Sequence, residues 1–375
     1  MPSKPVMGNK KIIIYILYIL ISILIIVFNL VFANIPNGYI LLLVLSFMAI
    51  ALIRVRDKLS FLYGLALLIV LSVVGIIQFE YFPQARVLYE AGLTPWELLV
   101  SFHPHSVRYL VSYPAVLITH FFNTDINSSY TYYCIILLSI MMMNVQDVVN
   151  LIKKDKGISN ALVLRGMVGI LPIILLSSLM NGRLVPAFAG MSMILKEMTG
   201  LFFLKKKLDT RLLIIVFFGF FITTVSSGTM MVAAGEIVAC LVIYMIKFRR
   251  QGTLLFFSII FSPILYVAGK YIIFMTNRNI LYFGGGLEGF IKMLNHGFGR
   301  LFHYTPLIIL TFCVLMIFFL SIMSKVYFYF LRNKLEYIPL VISFPIAFIG
   351  GLFGISTALM IVPSLIVIGL LVVGI

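Results

Sequence analysis

The sequence predicts an all-α integral membrane protein with about twelve transmembrane helices, and three observations support this fold class. First, 62% of the 375 residues are hydrophobic and only 11% are charged, with a mean hydropathy of +1.14. Second, apolar runs recur along the chain, and about 20 helical residues cross the ~30 Å hydrocarbon core. Third, the charged residues separate these runs. We therefore expect a single polytopic membrane domain over residues 1–375.

The predicted spans follow the apolar runs in chain order. They cover residues 12–33, 39–53, 59–79, 129–149, 158–180, 184–204, 212–225, 229–246, 252–275, 306–324, 337–354 and 356–373. No small-residue cleavage pattern follows the first run, so we expect a retained span rather than a removed signal. Gly350, Gly351 and Gly354 predict a tight turn between the last two spans.

The orientation follows from lysine and arginine, which concentrate in alternate connections such as 54–58, 153–156, 205–211 and 247–250. Basic loops stay in the cytoplasm, so both termini are predicted to be cytoplasmic. The enlarged loops 80–128 and 276–305 then lie on the outer face. The cytoplasmic loops are too short for a nucleotide-binding domain, and the sequence has no Walker or Gly-rich dinucleotide motif.

The composition also excludes other classes of site. A net charge of +16 on a nucleic-acid-binding protein would form basic patches on a polar domain, whereas here the charges separate apolar runs. Cys134, Cys240 and Cys313 lie inside apolar runs without metal-ligand spacing, so neither a disulfide framework nor a zinc site is expected. We predict no cofactor and no metal, with the lipid bilayer as the surrounding partner.

The short connection Met180–Pro186 places Arg183 where two predicted spans reach the membrane surface. Gly182 allows a tight turn there, and Pro186 suits the first turn of the next helix. Two interpretations remain open for Arg183. It is either an ordinary loop arginine among the headgroups or a fixed cation that faces a cavity and holds a phosphate.

The first outer loop, 80–128, is half apolar and rich in aromatic residues, and its segment 106–122 predicts a helix on or in the membrane surface. Trp96 and the tyrosines suit the membrane–water interface. Glu80 directly follows a predicted span, where partial desolvation would suit a general base. Alternatively, Glu80 pairs with Arg86 or Arg108.

Two histidines of the same loop, His103 and His105, flank a proline. On a strand their side chains would point in opposite directions, and no further ligand lies at metal-binding spacing. A metal site is therefore disfavoured. His103 remains a candidate for proton transfer or substrate binding.

The second outer loop, 276–305, adds further cations, an acid and two histidines. Its candidate residues are Arg278, Glu288, Lys292, His296, Arg300 and His303. Gly284, Gly285 and Gly286 predict a hinge or a place where a ligand approaches the backbone. The alternative is a flexible connector with solvated charges.

Within the predicted spans lie Arg165, the Lys196–Glu197 pair and Glu236. Arg165 and Lys196 can reach an interface through their long side chains. Glu236 is either a hydrogen-bonded structural acid, a proton relay or the partner of a buried cation. The polar corner 223–229 permits close helix packing.

The outer-face arginines suit phosphate, because a guanidinium is always charged and its planar fork matches two oxygens. The chain resembles the O-antigen (Wzy-type) polymerases, which are similar to GT-C-type membrane glycosyltransferases. The resemblance rests on the span layout, N-G-R-x-x-P-A-F at 181–188, S-S-G-T at 226–229 and G-F-G-R at 297–300. An R-x10-G pattern of that family occurs at Arg278 but not at Arg183.

The resemblance implies a multi-pass enzyme of the bacterial inner membrane that makes O-antigen lipopolysaccharide or a similar surface polysaccharide. It would polymerise oligosaccharide repeat units carried on undecaprenyl diphosphate at the periplasmic face. Arg183, Arg278 and Arg300 would stabilise the leaving diphosphate, and Glu80, His103, His296 or His303 would act as the base. Arg86, Arg108, His103 and Asn181 would bind substrate. A chain-length regulator would be a further membrane partner.

Three other functions remain open. A flippase for the same lipid-linked unit would show repeated, broken spans and midplane charges. An O-antigen ligase would use the same donor with a different acceptor. A membrane acyltransferase would need a histidine near a cytoplasmic or midplane acid, whereas all five histidines are in predicted outer segments.

Overall fold

The computed structural model describes residues 79–103, 105–156, 182–204, 209–248, 280–296 and 335–351, with scattered residues at 262–278 and 357–367. Most of these residues are helical and none of them is in a β-strand, which confirms the all-α prediction for this part of the chain. The predicted spans 12–33, 39–53, 158–180 and 306–324 lie outside the described residues. So do most of 59–79, 252–275 and 356–373.

The chain divides into two compact units. The first contains residues 1–189 and 365–375, and the second contains residues 190–364. In the described part of the first unit the helices are α1 (Pro83–Glu90), α2 (Pro95–Val100), α3 (Ser106–Phe122) and α4 (Ile126–Lys156). The predicted helix 106–122 is thus present with the expected bounds.

Local sequence signals fix the ends of these helices. Pro83 and Pro95 occupy first-turn positions, where a missing N–H group costs nothing. Thr94 and Glu97 form a capping box, with the Glu97 carboxylate accepting from the Thr94 N–H at 2.7 Å. The Asp125 carboxylate begins α4 by accepting from the Asn127 N–H at 2.9 Å. These hydrogen bonds satisfy N–H groups that a helix end leaves without partners.

Helix α3 packs against α4, and α1 and α2 pack against α3. The Tyr133 hydroxyl of α4 donates to the carbonyl oxygen of Val111 on α3 at 2.7 Å. The Tyr81 hydroxyl lies 3.0 Å from the Ser112 hydroxyl of α3. The segment 80–128, predicted as an outer loop, therefore contains helices that pack on one another and on α4.

The second unit begins within α5 (Leu184–Phe203), whose residues to Ala189 belong to the first unit. Its other described helices are α6 (Thr210–Thr223), α7 (Ser227–Phe248), α8 (Gly286–His296) and α9 (Ile338–Gly351), with short 3-10 turns at Leu335–Tyr337 and Leu359–Ile361. Among the described helices, segments Ile126–Val145 of α4 and Ser227–Met245 of α7 are long and apolar enough to cross a membrane.

Helix α7 packs against both α5 and α9. Phe202 of α5 and Tyr244 of α7 meet edge to face with ring centroids 5.7 Å apart. On the side towards α9, a methyl group added at Gly235 would lie 3.0 Å from Ile346. Helix α5 also approaches α6 closely, since a methyl group at Gly190 would overlap the carbonyl oxygen of Gly219.

We expect Gly190→Ala to lower the free energy of unfolding by about 1–3 kcal/mol, because the added methyl group overpacks two backbones. It would also lie 2.8 Å from the Thr223 methyl group. The matched control is Gly269→Ala, where the new methyl group meets nothing within 4 Å. Thermal unfolding of the detergent-purified chain measures both, and equal midpoints for the two variants would contradict the close α5–α6 approach.

Candidate functional site

An extended segment, Phe79–Phe82, lies against the first turns of α4. The Phe79 N–H donates to Thr131 Oγ1 at 2.8 Å, and the Tyr81 N–H donates to Asn127 Oδ1 at 3.0 Å. Residues four apart on a helix share one face, so Asn127 and Thr131 both point towards this segment. Their side chains accept the backbone hydrogen bonds that a neighbouring β-strand would accept in a sheet. This arrangement fixes the backbone on either side of Glu80.

Aromatic rings from this segment, α1 and α4 form what we call the tyrosine cluster: Tyr81, Phe82, Tyr89 and Tyr130. The Tyr81 and Tyr130 rings lie 5.2 Å apart, and both side chains are fully buried. The Phe82 ring lies 5.9 Å from the Tyr130 ring, and the Tyr89 ring lies 6.5 Å from the Tyr81 ring. The sequence favoured a membrane-interface role for these tyrosines, whereas Tyr81 and Tyr130 belong to the core of the first unit.

The Gly182–Arg183 connection is attached to this cluster. The Tyr130 hydroxyl donates to the carbonyl oxygen of Gly182 at 2.8 Å. A methyl group at Gly182 would lie 3.1 Å from both the Glu80 carbonyl oxygen and the Tyr130 ring, so the site favours glycine. Arg183 is half-buried, and desolvation lowers the pKa of its guanidinium, which still keeps its charge at neutral pH.

Arg86 reaches the same region from α1. Its Nη2 atom donates to Asn127 Oδ1 at 2.6 Å, so one amide oxygen holds both Arg86 and the Tyr81 backbone. The Nε atom of Arg86 is buried without a hydrogen-bond partner, and so is Oε1 of Gln84. Among the described residues no carboxylate forms an ion pair with Arg86. Within the described part of the chain, Arg86 therefore has a charge that no carboxylate pairs with and an Nε–H donor without an acceptor.

The other predicted residues of the first loop have different surroundings. The Glu80 side chain is exposed, in contrast to the partial desolvation expected, and pairs with neither Arg86 nor Arg108 within the described ranges. Arg108 is half-buried in the first turn of α3. Nδ1 of His103 accepts from the His105 N–H at 3.2 Å, and the two rings lie 5.6 Å apart. The two rings therefore lie close together, whereas a strand would place them on opposite faces.

The candidates from the second loop lie in the second unit. Arg278 is exposed there, and His296 is the last residue of α8. Asn181, Arg300 and His303 lie outside the described residues. A common site for Arg183, Arg278 and Arg300 therefore stays a prediction. Nowhere in the described ranges do three or more His, Cys, Asp or Glu side chains form a group that could hold a metal ion.

The glycine run of that loop has a defined conformation. Gly284, Gly285 and Gly286 all have positive φ values of 113°, 76° and 59°. The Gly284 N–H donates to the Leu281 carbonyl at 3.1 Å, and the Gly285 N–H donates to the Ile280 carbonyl at 2.9 Å. This pair of hydrogen bonds is a Schellman motif that ends one helix immediately before α8 begins.

The sequence did not point to Asn127 or Gln84 as members of the site. Asn127 follows the α4 cap residue Asp125 in a polar run, where short polar side chains usually serve the helix end. The sequence showed only that a polar segment, 123–129, precedes the apolar run of the next predicted span.

Comparison with family models, curated proteins and solved structures found no match to this chain.

Proposed function

We propose that this chain is a multi-pass glycosyltransferase of the bacterial inner membrane that polymerises undecaprenyl-diphosphate-linked repeat units at the periplasmic face. The observation that supports it is the approach of two guanidinium-bearing segments to one aromatic cluster. Arg86 adjoins the cluster through Asn127, and Arg183 follows the glycine held by Tyr130. Two fixed cations near buried aromatic rings suit a diphosphate ester better than solvated loop charges.

The proposal includes about twelve spans with both termini in the cytoplasm. In that topology the loops 80–128 and 276–305 are periplasmic, and residues 80–86, the start of α4 and Arg183 share the outer face. The lipid-linked donor would approach from the outer leaflet. Its diphosphate would then meet the guanidiniums at the level of the headgroups.

In the proposed reaction an acceptor sugar hydroxyl attacks the anomeric carbon of the donor. The bond from that carbon to the diphosphate oxygen breaks, and the hydroxyl proton passes to a base. Arg86 and Arg183 would stabilise the charge that develops on the leaving diphosphate. Glu80 is our choice of base in the first unit because of its position: its backbone contacts Gly182, and its exposed carboxylate is accessible to a substrate hydroxyl, although it lacks the desolvation expected from the sequence. Arg278, Arg300, His296 and His303 would complete the site from the second loop.

The test of this function is the polysaccharide made by a strain that lacks the protein. We expect lipopolysaccharide capped with single repeat units and no longer chains, with the ladder restored by the intact gene. Gel electrophoresis of the extracted lipopolysaccharide measures the result. Complete loss of capping would indicate the ligase or flippase alternative instead, and an unchanged ladder would contradict all three.

A further inference from the structure

A buried acid of the second unit is not among the residues assigned to glycosyl transfer. Glu236 lies within the apolar helix α7 and its side chain is fully buried. The Cys240 thiol, one turn further along, donates to Oε1 over 3.6 Å, which is a weak contact. Oε2 is buried and has no hydrogen-bond partner. Such an atom requires an explanation, since buried polar groups are nearly always satisfied.

Among the described residues, the helices α5, α6, α7 and α9 carry few charged side chains, and none of these forms an ion pair with Glu236. Helix α9 contains no titratable residue, and α6 contributes only Arg211, which is exposed in its first turn. Helix α5 carries Lys196 and Glu197, and α7 itself adds Cys240 and Tyr244. Of the cations in the described part of the chain, none forms an ion pair with Glu236.

The burial and the hydrogen bonding of Glu236 limit both its charge state and its role. An ionised carboxylate without a partner would cost several kcal/mol in this interior, so the carboxyl group is neutral as it is placed in this structure. A neutral acid that served only to join helices would use both oxygens, and this one has a single weak contact. What remains is the capacity of the carboxyl group to take up and release a proton, which is the usual role of an unpaired acid inside a membrane.

We propose that Glu236 is an exchangeable proton-binding site inside the membrane layer of the second unit. Release of the proton requires water or a cation to reach Oε2. The close contacts of α7 with α9, at Gly235 and Ile346 and at Val232 and Gly350, leave little room for either. Proton release is therefore coupled to separation of α7 from α9.

The experiment is labelling of the full-length chain in membrane vesicles with an apolar carbodiimide, which reacts with protonated carboxyl groups in apolar surroundings. Mass spectrometry of the digested protein identifies the adduct. We expect an adduct on Glu236 at acidic pH that falls about tenfold for each pH unit above its midpoint as the acid ionises. Because this readout uses the unmodified chain, it does not depend on a variant that folds.

The site of labelling is checked with Glu236→Gln, which keeps the shape and cannot ionise, and with Glu197→Gln as a matched control. The first should lose the adduct and the second should retain it. Absence of any Glu236 adduct across the pH range would overturn the proposal, because the acid would be sealed from exchange. A constant adduct would also overturn it, because the acid would then be permanently neutral.

Discussion

Arg183→Ala should abolish long-chain polysaccharide while the protein remains in the membrane at its normal level. The half-buried guanidinium follows a glycine that is held by Tyr130 and packed on the Glu80 backbone, so its position is fixed before substrate binds. Loss of one preorganised group that stabilises the developing negative charge costs about 100- to 1,000-fold in rate. Arg183→Lys should recover part of the activity, because it keeps the charge and loses the planar fork.

The measurement is the length distribution of lipopolysaccharide in a deletion strain that carries each variant, alongside immunoblots of membrane fractions. Arg300→Ala is expected to give the same loss. The control is Arg211→Ala, which removes an exposed arginine from the start of α6. Normal chain lengths with Arg183→Ala would exclude the proposed role of this residue.

The second large effect concerns Arg86 and the amide that holds it. Asn127 accepts hydrogen bonds from Arg86 and from the Tyr81 backbone through one neutral oxygen, so it orients the guanidinium without neutralising it. We expect Arg86→Ala to weaken binding of an undecaprenyl diphosphate by about 10- to 100-fold, the value of one or two charge-assisted hydrogen bonds. Asn127→Asp should also weaken binding, because the new carboxylate would pair with Arg86.

Binding is measured on the full chain in nanodiscs with undecaprenyl diphosphate as the probe and undecaprenol as the uncharged comparison. The control is Lys292→Ala, which removes a cation of the second loop that is already paired with Glu288 at 2.6 Å. This control should change affinity by less than about threefold. If Asn127→Asp bound the probe as tightly as the wild type, Arg86 would not contact the diphosphate.

Hydropathy located several helices well, because apolar runs end where charged or capping residues begin. The predicted span 184–204 matches helix Leu184–Phe203, and the predicted span 229–246 lies within Ser227–Phe248. The predicted span 129–149 also lies within a longer helix, α4, which runs from Ile126 to Lys156. Hydropathy reports how favourably side chains transfer from water into lipid. It does not report where a helix ends, because polar residues with a high helix propensity can continue the helix beyond the apolar run.

The candidate site was only partly predictable for a different reason. Gly182 and Arg183 carried a local signal, because a glycine and a cation occupied a very short connection between apolar runs. The hydrogen bond from Arg86 to Asn127 joins residues 41 positions apart, and no local pattern encodes such a pair. Likewise, the burial of Tyr81 and Tyr130 depends on how α3 and α4 pack, which periodicity alone does not specify.

The left-handed backbone at Gly284, Gly285 and Gly286 affects how mutational scans of the second loop should be interpreted. An alanine at any of these positions would strain the main chain, even though a methyl group there meets no close neighbour. If such a variant were inactive, the cause would be a change in the direction of α8 after the turn, and not the loss of a contact with a ligand. A scan that ranked residues by phenotype alone would count three conformational glycines among the substrate-recognition residues.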